Sequence, residues 1–154
     1  MRFFNGTYSN GDGWQSPAMS TTFVPGLKWR MEPANHHVAV LGASAKPGRF
    51  SHRAIRMLND GGYRVSPVHP KLAEIDGLPV LPSLDAIGDA VHTLTLYVGP
   101  QRLAPLHDQG VRLRPGRVIF NPGTESAALQ RRLDEAGIPW EEACTLIMLG
   151  NGRF

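Results

Sequence analysis

The segment that most constrains this chain is a run of four apolar residues, Val38-Ala39-Val40-Leu41, followed at once by the loop Gly42-Ala43-Ser44-Ala45-Lys46-Pro47-Gly48. A strand that is apolar at every position expects cover on both faces, the condition of a strand inside a parallel sheet. Beyond the loop, from Arg49 to Asn59, Phe50, Ala54, Ile55 and Leu58 recur at helical spacing, and Gly61-Gly62 supplies a stop. Strand, glycine-bearing loop and helix together make the first half of a βαβ unit, and they commit the chain to an α/β fold.

The same alternation continues to the end. A second strand is expected over 63–68, a short helix capped by Ser83 near Leu84 and Ile87, and a third strand over 92–98 closed by Gly99-Pro100. A helix over about 101–109 follows, then a fourth strand at Val118-Ile119-Phe120, a helix over 125–136 and a fifth strand within 140–149. The expected architecture is a single doubly wound Rossmann-like domain over 36–154, with about five mostly parallel strands. A chain of 154 residues, 42% hydrophobic, has material for one such core. Residues 1–35 are rich in Gly, Ser, Thr, Asn and Pro and read as an irregular arm, although Trp14, Phe23, Leu27 and Trp29 suggest that part of it packs on the domain.

In a doubly wound sheet ligands bind outside the carboxyl ends of the strands, so the turn residues carry the functional reading. Gly42 lets the backbone turn directly off the first strand. The start of the following helix, at Arg49, Phe50 and Ser51, offers free amides to an anion. Ser44 adds a hydroxyl, Lys46 and Arg49 add positive charge, and Pro47-Gly48 stiffens the far end of the loop. The spacing is not the dinucleotide pattern G-x-G-x-x-G, since Ser44 stands where its second glycine would be. Nor does the second strand end in the acidic residue that holds an NAD ribose; it ends in His69-Pro70-Lys71. Lys71 suits a phosphorylated ribose, whether the 3′-phosphate of coenzyme A or the 2′-phosphate of NADP. The third and fourth strands end in Val98-Gly99-Pro100 and Asn121-Pro122-Gly123-Thr124, small or proline-kinked turns that leave room for a ligand against flat backbone.

Three segments in combination carry a resemblance: Val38 to Arg49, Gly62-Tyr63-Arg64-Val65-Ser66-Pro67-Val68-His69-Pro70, and Gly77-Leu78-Pro79-Val80-Leu81-Pro82-Ser83-Leu84. Over roughly residues 37–148 the chain resembles the small stand-alone CoA-binding proteins, relatives of the CoA-binding domain of the succinyl-CoA synthetase α subunit. The resemblance implies a Rossmann-like fold, CoA phosphates on the 42–49 loop, and further contacts at the ends of the second, third and fourth strands. Where that family usually carries Asn, this chain has His69.

The sequence offers little chemistry beyond binding. The six histidines form no H-x-x-x-H or H-E-x-x-H arrangement, no metal site is expected, and there is no G-x-S-x-G elbow. The adjacent Glu141-Glu142 reads as solvated charge at a strand start. Cys144 is the single thiol; it reads first as a small buried residue of the last strand, and more sharply as a redox partner for a pantetheine thiol. The expected function is therefore non-catalytic binding of CoA or an acyl-CoA, regulatory or as part of a split acyl-CoA synthetase. The alternative is an NADP-binding oxidoreductase or a remnant of one. The net charge of +3 is scattered rather than gathered into a basic run, which points to a small-molecule nucleotide and away from nucleic acid. A protein partner is open. No run approaches the ~20 apolar residues of a membrane span, and with one cysteine and no apolar leader the expected location is cytoplasmic.

Overall fold

The structure, a computed structural model, describes residues 32–154. The arm expected over 1–35, with its Trp14, Phe23, Leu27 and Trp29, lies outside the described residues up to position 31. Five strands form one parallel sheet: β1 (His37–Leu41), β2 (Arg64–Val68), β5 (Thr93–Leu96), β6 (Arg117–Phe120) and β7 (Trp140–Glu142). Their order across the sheet is β2-β1-β5-β6-β7. A two-stranded antiparallel hairpin, β3 (Glu74–Ile75) and β4 (Leu78–Pro79), follows β2. The helices are α1 (Phe50–Asp60), α2 (Pro100–Leu103), α3 (His107–Leu113), α4 (Ala127–Ala136) and α5 (Thr145–Gly150).

The sequence of β1 explains why the sheet is covered twice. Its alternate residues Val38 and Val40 pack with Ile55 and Leu58 of α1. Ala39 and Leu41 point the other way, toward Leu103 of α2 and Leu129 and Leu133 of α4. Burying a side chain such as Ile55 or Leu133 contributes about 1.5–3 kcal/mol, so both layers are held by the same strand. The chain winds from β1 through α1 to β2 on one side, then crosses back past β1 to build β5, β6 and β7 on the other. The reversal falls between β1 and β5, where connections diverge to opposite faces and a crevice opens at the carboxyl ends.

Three expectations need correction. The fifth strand expected within 140–149 is present but short: β7 pairs with β6 for only three residues, Trp140 to Glu142, and α5 begins at Thr145. The backbone leaves the sheet because Asn121 Oδ1 accepts the Thr145 N–H at 2.8 Å, which turns the chain into a helix. Cys144 is therefore not a strand residue; it is the half-buried residue just before α5. The helix expected over 101–109 is a longer run in three pieces, α2, a 3-10 turn at Ala104–Leu106, and α3. Ser83 does precede a turn, a 3-10 segment at Leu84–Ala86, but the Leu84 N–H is bound by Gln109 Oε1 at 3.1 Å and not by Ser83.

Candidate functional site: a cationic cleft at the strand ends

Gly42 sets the entrance to the site. Its φ is +89°, and a Cβ there would lie 2.7 Å from Val98 Cγ2 and 2.9 Å from the Tyr97 carbonyl oxygen, so the turn off β1 passes directly against the residues that leave β5. The amides of Gly42 and Ala43 both donate to the Val68 carbonyl, at 3.2 Å each, binding the start of the loop to β2. These two amides are thus committed to the fold. Lys46 N–H donates to Ser44 Oγ at 3.1 Å, and Arg49 N–H donates to the Lys46 carbonyl at 3.2 Å, which closes the loop into a tight turn.

The amides that remain for a ligand are those of α1. The first intrahelical bond runs from Arg53 N–H to Arg49 O, at 3.0 Å, and a helix leaves the donors before it without backbone partners. Those donors are Phe50, Ser51 and His52. Among the described residues no side chain caps this end, and the first turn carries no acid. The positive end of the helix dipole therefore faces the cleft, where Phe50 and Ser51 are on the wall, the arrangement that receives phosphate in nucleotide-binding α/β folds.

A cleft of about 650 Å³ opens there, within the ~300–1,000 Å³ typical of small-molecule sites. The structure brings Gly42, Ala43, Ser44, Lys46, Arg49, Phe50 and Ser51 to its wall from the first turn, and His69 and Pro70 from the end of β2. Val98 and Gly99 join them after β5, and Pro122, Gly123 and Thr124 after β6. Five expected residues are not on the wall: Pro47, Gly48, Lys71, Pro100 and Asn121. Cys144 is not on it either. Asn121 is buried and fully occupied in the fold, donating through Nδ2 to Thr95 Oγ1 at 2.7 Å and to the Leu96 carbonyl at 2.9 Å while Oδ1 holds Thr145.

His69 replaces a side-chain amide in kind. Its Nδ1 accepts the N–H groups of Lys71 at 3.0 Å and Leu72 at 3.2 Å, the role that an Asn oxygen plays in an Asx turn. With Nδ1 an acceptor, the neutral ring carries its proton on Nε2 and is a donor there.

Sequence reasoning missed Arg102 and Tyr97, both on the wall. Arg102 comes from α2, just beyond the end of β5, and forms no ion pair among the described residues, whereas Arg64, Arg112, Arg117 and Arg132 each meet a carboxylate. A signal existed: Arg102 stands in the first turn of a helical run, where the dipole disfavours a cation unless an anion is at hand. Tyr97 also lines the cleft, and burial pushes its phenol up to about 12. Lys46, Arg49 and Arg102 make the wall cationic, and among the described residues no Asp or Glu lines it.

Residues 36–150 match the CoA binding domain family. The chain belongs to that family. As a CoA binding domain it is 33% identical over 105 residues to acetate–CoA ligase (ADP-forming) I of Archaeoglobus fulgidus, covering 64% of this chain and 15% of the ligase. It is 30% identical over 66 residues to the uncharacterized protein YneT of Bacillus subtilis, covering 43% of this chain and 49% of YneT. The chain thus spans less than half the length of either relative in these alignments. A crystal structure of an uncharacterized protein superposes with a TM-score of 0.73 at 36% identity, covering 77% of this chain and 98% of the other. The structure of a Thermus thermophilus protein does so with a TM-score of 0.72 at 32% identity, covering 77% and 90%. Among the described residues no helix of this CoA binding domain is long and apolar enough to cross a membrane.

Proposed function

We propose that the domain binds coenzyme A or an acyl-CoA in this cleft, with the diphosphate on the first-turn amides of α1 between Lys46, Arg49 and Arg102, and that it serves as a binding module. The observation that carries the reading is the wall itself: three cations, no acid among the described residues, and an uncapped helix N-terminus, at the switch point of a CoA binding domain. A ligand with several phosphates neutralises that charge. An NAD-type site would instead present a carboxylate to the ribose.

The non-catalytic part of the reading rests on the same wall. Its titratable groups are Lys46, Arg49, His69, Tyr97 and Arg102. The phenol is held neutral by burial, and the Nδ1 atom of His69 is occupied by two backbone amides. No nucleophile and base stand within hydrogen-bond reach of each other there among the described residues, which such chemistry requires. A CoA-carrying part of a split acyl-CoA synthetase, or a regulator that senses CoA, both fit this description.

Calorimetric titration with CoA, dephospho-CoA, NADP and NAD tests the proposal. CoA is expected to bind most tightly. Binding of NADP with none of CoA would overturn it in favour of the oxidoreductase reading.

A further inference from the structure

Phe50 is an unusual residue for its place. It opens α1, its side chain is 64% exposed, and it sits on the rim of the cleft rather than in either core layer. Its own N–H is one of the three free donors at the helix start, so ring and anion site belong to the same residue. One turn along, the Arg53 guanidinium carbon lies 6.0 Å from the ring centroid, on the edge of cation–π distance.

Topology says which half of a nucleotide would meet that ring. α1 joins β1 to β2 and packs on β2, so Phe50 shares its half of the cleft with His69 and Pro70. Arg102, Leu106 and Thr124 come from the elements after β5 and β6 and form the other half. When the phosphates sit at the first strand-to-helix turn, the nucleoside extends toward the end of the second strand. A flat, exposed ring next to that path offers a stacking face, and the His69 Nε2–H offers a donor in the same half.

We propose that Phe50 is the platform on which the adenine ring of the bound CoA stacks, backed by Arg53. This rests on the binding function proposed above. The pantetheine arm then runs through the opposite half, past Leu106 and Thr124.

The test uses the full chain, its Phe50→Ala, Phe50→Leu and Phe50→Trp variants, and three ligands: CoA, ADP and 4′-phosphopantetheine, which lacks adenine. Because the side chain is exposed, the thermal midpoints of all variants are expected to match wild type. Phe50→Ala is expected to weaken CoA and ADP by about tenfold, toward the low end of what removing a stacking aromatic costs, or about 1.4 kcal/mol. Phe50→Leu, apolar but without a π face, is expected to reproduce that loss, and Phe50→Trp to retain affinity. Phosphopantetheine affinity is expected to stay constant throughout. An equal loss for phosphopantetheine would move Phe50 to the pantetheine side, and unchanged CoA affinity in Phe50→Ala would leave the ring without a ligand role; either result overturns the stacking proposal while the binding function stands. If wild type binds neither CoA nor ADP, both proposals fall.

Discussion

Gly42 and Gly48 bound the same loop with almost the same backbone angle, φ +89° and +92°, yet they differ in what surrounds them. An added Cβ at Gly48 meets nothing within 4 Å, while at Gly42 it meets Val98 Cγ2 at 2.7 Å and the Tyr97 carbonyl oxygen and carbon at 2.9 and 3.0 Å. Alanine at either site carries the cost of a left-handed L-residue, about 1–2 kcal/mol. At Gly42 two of the three clashing atoms are backbone of Tyr97, the residue just past β5, which is tied to β1 by its N–H on the Leu41 carbonyl at 2.8 Å, and the clash adds an overpacking cost of about 1–3 kcal/mol. Gly48→Ala is therefore expected to lose about 1–2 kcal/mol and Gly42→Ala about 2–5 kcal/mol, a large share of a typical domain stability of about 5–15 kcal/mol. Urea unfolding of both variants, with the slope checked for constancy, measures the difference directly. Since the cost of a positive φ is common to both, the gap reports the contact with Tyr97 and Val98. Equal destabilisation would refute the argument that close approach, rather than dihedral angle, fixes glycine at 42.

Other outcomes follow from the charges. His36 is buried against Thr93 and Phe154, and burial, with Arg117 second, pulls its pKa from 6.5 to about 4. A depressed folded-state pKa favours the neutral ring, so this contribution is complete above pH 6.5 and is lost as pH falls toward 4, by about 3 kcal/mol in all. The unfolding free energies of wild type and His36→Asn from urea titrations between pH 7 and 4 are expected to shift relative to each other by at most about that amount; a constant difference would remove His36 from the acid response. Arg102→Gln is expected to weaken CoA and ADP alike by about 1.5–3 kcal/mol, the range for a hydrogen bond to a charged group. Lys71→Gln, off the wall, is expected to change CoA affinity less than about threefold, well under the loss from removing one charged contact; titration calorimetry of the two variants reads both.

The parts of the fold that were legible are those where one periodicity dominates: the all-apolar β1, the segment around β5, and α1 with its glycine stop. The hairpin β3–β4 went unread although Ile75-Asp76-Gly77-Leu78 holds the Asp-Gly pair that two-residue hairpins prefer. Its strands are two residues each, too short to show alternation, and what fixes the hairpin is tertiary: His52 on α1 meets Asp76 at 2.8 Å. Leu146 to Leu149 failed for the opposite reason. A short apolar run fits strand and buried helix equally, and the choice was made by Asn121, 24 positions earlier. In the site, most residues of the 42–51 segment and of the strand ends singled out from the sequence do line the cleft, whereas Lys71 does not and Arg102, which was not singled out, does. Lys71 follows β2 in the chain yet lies off the wall, and Arg102 reaches the wall only because β5 is inserted beside β1.

The borders of the sheet have a consequence for how copies of the chain can meet. On one side β7 is three residues long and carries exposed Glu141 and Glu142, the first 3.5 Å from Arg117 and the second bound by Gln130 at 2.8 Å. On the other side β2 contains Pro67, which has no amide to give, and the Leu81 backbone occupies the Pro67 carbonyl and the His69 amide. A strand from a second molecule finds at one border like charges and at the other a proline and spent hydrogen bonds, the devices by which natural sheets refuse to extend. Among the described residues, growth of this sheet into a fibre or a shared sheet is disfavoured from both directions.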